Sequence, residues 1–158
     1  MRRLVVTALL ATAVLAPAGG GASARRVDAG AGVSAVLPAG WRLVHRSATN
    51  WSDPAQRLLA TTARGKLHTR YRVPPRTALV LLMESKAGRV PVRPSSFHLP
   101  RLGTIGGCCE MPIGRGAELL FRDHGRRFIA FVYVGARSGA RRDVLTLLNS
   151  LRVSAAGA

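Results

Sequence analysis

Carboxylates are scarce in this chain: seven Asp and Glu stand against 24 Lys and Arg among 158 residues, a formal charge of +17. None of the seven forms a close pair, so the two-acid arrangement of a glycosidase has no sequence basis. Cysteine is nearly absent too. The only two, Cys108 and Cys109, are adjacent, and neither a C-x-x-C spacing nor a nearby histidine marks a zinc or thioredoxin-type site. His45, His68, His98 and His124 lie far apart, with no pair at metal-ligand spacing. The nucleophile motifs G-x-S-x-G and S-x-x-K are missing. Gly30 to Ala35 matches a dinucleotide fingerprint in letters only, for no strand precedes it and no helix follows. These absences define no catalytic residue, no metal site and no cofactor, and they favour a protein that is not an enzyme. Aromatic residues make up 5%, which leaves no stacking platform for specific nucleic-acid binding.

What is present begins with an address. Arg2 and Arg3 are followed by the uncharged apolar run Leu4 to Ala16, then by Ala22-Ser23-Ala24, small residues in the A-x-A pattern of a cleavage site. Residues 1–24 therefore read as a secretory signal peptide. The run is too short for a membrane helix, which needs about 20 apolar residues, and no later run is longer. The chain is expected to be secreted, outside the cytoplasm, with no transmembrane span after cleavage. Arg2 and Arg3 are the only charged residues in the leader, so its removal lowers the formal charge from +17 to +15. A field of that sign favours polyanions, among them acidic cell-envelope polymers. Arginine supplies all the basic residues but Lys66 and Lys86. With the abundant Ala and Gly, that also fits the codon bias of a GC-rich genome.

Residues 25–32 (RRVDAGAG) read as a flexible leader, 33–153 as one domain and 154–158 as a tail. Val33 to Leu37 alternates as a strand, stops at the turn Pro38-Ala39-Gly40, and resumes at Trp41 to Val44. Arg57 to Thr62 leans to strand. Thr77 to Glu84 is apolar on both faces and is expected at the centre of a sheet. Ala117 to Arg122 and Arg127 to Val134 flank Asp123-His124-Gly125-Arg126, a hairpin whose reversal needs the positive φ of Gly125. Its second strand puts Phe128, Ala130, Val132 and Val134 on one face and Ile129, Phe131 and Tyr133 on the other, so both faces need cover. Val144, Leu147, Leu148 and Leu151 make a helical stripe, with Ser138 as its cap. The expected class is α+β: an antiparallel sheet with a C-terminal amphipathic helix packed on one face.

Leu37 to Trp41 (L-P-x-G-W), Asp53 to Leu58 (D-P-x-Q-R-L), Gly125 to Gly135 and Leu147 to Leu151 (L-L-N-S-L), taken in that order, resemble exported actinobacterial proteins of unknown function. Those are similar in layout to the PsbP/Mog-type α/β/α sandwich. The resemblance implies an antiparallel sheet with helices on its faces, and a role in binding or assembly rather than catalysis.

Two sets of residues remain as candidates. Arg64, Lys66, Arg70, Arg72 and Arg76 lie in RGKLHTRYRVPPR, a stretch without an acid, and paired guanidinium groups there would bind phosphates or carboxylates. Cys108 and Cys109, in an oxidising compartment, are open to three states: free thiols, a strained vicinal disulfide, or a bridge to another molecule or a metal. The expected function is an exported binding or interaction module contacting an anionic cell-envelope polymer or another exported protein. The alternative is a thiol-dependent redox or enzymatic protein using the two cysteines.

Overall fold

In the computed structural model, residues 23–48, 51–64, 72–107 and 111–155 are described. Nine strands and one helix are defined among them: β1 (Arg25–Gly30), β2 (Val33–Leu37), β3 (Arg42–Leu43), β4 (Ala55–Thr61), β5 (Leu79–Ser85), β6 (Gly103–Ile105), β7 (Gly114–Asp123), β8 (Arg126–Tyr133), α1 (Ala140–Asn149) and β9 (Arg152–Val153). Six form one antiparallel sheet in the order β3-β4-β5-β8-β7-β6, and the other three a small sheet, β1-β2-β9. The α+β class with a C-terminal helix on one face is correct, with a single short helix among the described residues.

β5 lies inside the large sheet between β4 and β8, as its two apolar faces require, and Leu79 to Met83 are fully buried. The β7–β8 hairpin turns at His124 (φ 48°) and Gly125 (φ 78°). Two successive positive φ values define the tight reversal whose twist suits paired strands. Alternation along β8 sorts its side chains between two cores. Phe128, Ala130 and Val132 join Val144, Leu147 and Leu148 of α1 and Val33, Ala35 and Leu37 of β2. On the opposite face Phe131 and Tyr133 pack with Leu79, Leu81 and Met83, under Ala48, Val73 and Met111 from the connections. One face is thus closed by the helix and the small sheet, the other by loops.

Two expectations are corrected. The segment 25–32 is no loose leader: its first six residues are β1, in register with β2 from Arg25↔Leu37 to Gly30↔Val33, and Val27 and Ala29 pack against the core. Its Gly-Ala-Gly composition hid a tight turn between two strands. The cap of α1 is not Ser138. Gly139, in the left-handed region at φ 78°, holds the N-cap position with no side-chain hydrogen bond. The helix also ends at Asn149, so Leu151 lies just beyond it while remaining buried.

The chain between β5 and β6 straps the helix to the sheet. Phe97 stacks edge-on with Phe121 at 5.0 Å, its amide donates to Asn149 Oδ1 at 2.7 Å, and Arg141 donates to the Leu99 carbonyl.

Candidate functional site

The register of the large sheet aligns Arg42, Thr61, Leu79, Tyr133, Gly116 and Gly103 across one of its ends. Just past that row lie Arg64, Arg72, Arg76, Arg115 and Arg137. Two described carboxylates are nearby: Asp143 of α1, which Arg137 occupies, and Glu118, exposed on β7 two residues from Gly116. Arg64, Arg72, Arg76 and Arg115 are exposed and make no ion pair among the described residues. α1 begins at this end, so the positive pole of its peptide dipoles adds to the same field.

The opposite end holds four of the described acids, Asp28, Asp53, Glu84 and Asp123. Glu84, on β5, accepts a bidentate pair from Arg126, at 2.9 Å from Nε and 2.8 Å from Nη2, and a third bond of 2.5 Å from Arg57. Arg126 also donates to the carbonyls of Ala31 and Ser154, tying the β1–β2 turn and the end of β9 to the large sheet. The Arg126 hydrogen bonds, assisted by Arg57, outweigh burial and hold the Glu84 carboxyl at about 2. The same partner raises Arg126 above its ordinary value. Nearby, Asp123 bonds Arg93 at 2.7 Å and His124 at 2.8 Å. Burial alone would raise its pKa, but the bonds from Arg93 and His124 bring it below the usual carboxylate range. Asp28 caps its own turn through the Gly30 amide, and Asp53 accepts from the Lys86 amide. These acids close turns and clasp strands, and their partners are already satisfied.

Folding thus brings Arg64, Arg72 and Arg76 to one end, while Lys66 and Arg70 lie outside the described residues. Arg72 forms a parallel bridge to Ile113, and the Val73 amide donates to the Ile113 carbonyl at 2.8 Å. That pairing adds Arg115, a residue the sequence did not single out. Arg72 and Arg115 flank a groove of about 300 Å³ between the 72–77 turn and the exit of β8, with Thr77 and Gly135 in its lining. Thr77 is 7% exposed and its hydroxyl makes no hydrogen bond among the described residues. Only glycine fits at 135: a Cβ there would lie 2.6 Å from the Thr77 carbonyl oxygen and 2.7 Å from that of Pro75.

Cys108 and Cys109 lie outside the described residues. Their flanks are anchored: the Gly107 amide donates to the Met111 carbonyl at 3.2 Å, and the Tyr133 hydroxyl to that of Pro112 at 2.7 Å. Among the described residues no three His, Cys, Asp or Glu side chains gather as a metal site, and no helix is long and apolar enough to cross a membrane. No protein-family model, curated protein or solved structure matches the chain.

Proposed function

We propose that the chain is an exported, non-enzymatic binding module that holds an anionic cell-envelope polymer at the arginine-bearing end of its large sheet. One observation carries this reading. Arg64, Arg72, Arg76 and Arg115 lie past one end of the sheet without an ion pair among the described residues, where Asp143 is already taken by Arg137 and Glu118 on β7 makes none. A guanidinium presents several donors in a planar fork, and a set without internal partners keeps them for oxyanions. Secretion belongs to the same reading and is supported by the leader, whose proposed cleavage after Ala24 would free a chain starting at the first residue of β1. So does the PsbP/Mog-type resemblance, with its binding and assembly roles.

The test is retention of the 25–158 protein on heparin and on immobilised poly(glycerol phosphate) over a salt gradient. Replacing Arg64, Arg72, Arg76 and Arg115 together by Gln should weaken binding about thirtyfold, as expected for four exposed ion pairs of about 0.5 kcal/mol each. The control with the same charge change replaces Arg89, Arg122, Arg127 and Arg152, and should stay near the parent. Equal losses in the two variants would reduce the effect to net charge and refute the reading.

A further inference from the structure

The groove between Arg72 and Arg115 has the parts of a specific subsite, and we propose that it seats one phosphate group of the polymer together with a hydroxyl on the adjoining carbon chain. This inference rests on the polyanion reading and refines it to one ligand chemistry. Because Arg72 is in register with Ile113, two residues before Arg115, the two side chains leave the same face of the local sheet, with Cβ atoms roughly 7–8 Å apart as for diagonal neighbours. That spacing lets two guanidinium groups close on one tetrahedral oxyanion from either side. Neither has a carboxylate partner among the described residues, so none of the described ion pairs must break on binding.

Thr77 gives the site a second chemistry. Its hydroxyl lines the groove and makes no hydrogen bond among the described residues, so it is open to a ligand. Unlike a guanidinium, it can accept as well as donate. Arginines alone would suit any anion, but a hydroxyl beside them suits an anion that carries an alcohol. The volume, about 300 Å³, is roughly that of ten waters in the liquid, more than a bare phosphate needs and enough for a short polyol. Gly135 lets the exit of β8 pack closely against the 75–77 backbone that borders the groove.

Chemical-shift titration of the 25–158 protein tests this with three small probes, sn-glycerol 3-phosphate, inorganic phosphate and glycerol, and with a short poly(glycerol phosphate) oligomer. Saturable shifts of the Thr77 methyl and the Gly135 and Arg115 amides are expected, with the glycerol ester about fivefold tighter than inorganic phosphate. Arg72→Gln and Arg115→Gln, at exposed positions where the fold is not at stake, should each weaken the ester about tenfold. Thr77→Val should erase the preference over inorganic phosphate and leave phosphate affinity unchanged. Shifts that scatter over the arginine end without saturating, or losses no larger than those of Arg64→Gln and Arg76→Gln, overturn the groove while leaving column retention by that end intact. An oligomer bound no tighter than the monomer overturns the polymer as source and leaves the groove as a site for a free phosphate ester.

Discussion

Glu84 shows what a single carboxylate does in a chain with few of them. It lies on β5 with three guanidinium bonds from two arginines, one of which, Arg126, has a side chain only 6% exposed. Its carboxyl titrates at about 2 in the folded chain against an ordinary 4.5. A depressed folded-state pKa stabilises above the unfolded value and is lost as pH falls through the folded one. Glu84 therefore contributes up to about 3 kcal/mol at neutral pH, and the contribution drains away between 4.5 and about 2. Glu84→Gln should cost about 3 kcal/mol at pH 7, because Arg126 is left buried without its counter-charge. Urea unfolding at a series of pH values checks both claims: the variant should lose the steep acid limb of the parent. A parent-like acid limb in the variant would assign that limb to other groups.

Among the elements, α1 depends most on distant residues. Its own last turn carries no basic side chain, so its terminal carbonyls lack the usual local cation. Arg93 supplies one from the strap between β5 and β6, bonding the carbonyl of Leu151 at 2.9 Å and reaching that of Leu148 at 3.4 Å, while holding Asp123 and lying 5.5 Å from the Phe97 ring centre. One guanidinium thus joins the helix end, the hairpin and the strap. Arg93→Met keeps most of the apolar stem and removes the charge. It should destabilise by about 2 kcal/mol and speed amide exchange at Ser150 and Leu151 more than at β5. Uniform acceleration across the molecule would argue against a local cap.

Over the whole molecule, the described carboxylates are placed unevenly along the strands. Asp28, Asp53, Glu84 and Asp123 lie toward one end, where they are consumed by turns and arginines. At the other end Arg64, Arg72, Arg76 and Arg115 make no ion pair among the described residues. A net positive chain with one unbalanced end repels itself, and mobile ions relieve that strain while reaching the half-buried clasps poorly. Raising NaCl from 10 to 150 mM should therefore raise the thermal midpoint by about 4 °C, roughly 1 kcal/mol for a chain of this size. Calorimetry at fixed pH measures it. A falling midpoint would mean that the attractive pairs, not the arginine end, dominate the salt response.

The sequence alone determined the elements whose signal is local. The alternation of β2, the two apolar faces of β5 and β8, the turn at Gly125 and the stripe of Val144, Leu147 and Leu148 each depend on neighbours a few positions away, so the antiparallel sheet and its helix were legible. β1 was not, because its strand character comes from pairing with β2 and its composition mimics a linker. The basic stretch was visible as a charge run, but its meeting with Arg115 through the Arg72–Ile113 bridge was not. Nor were the position of Thr77 in the groove, the Glu84–Arg126 clasp and the gathering of four acids toward one end. Each of these is a contact between residues dozens of positions apart, set by strand order and register, and only the closed fold decides which charges meet and which are left for a ligand.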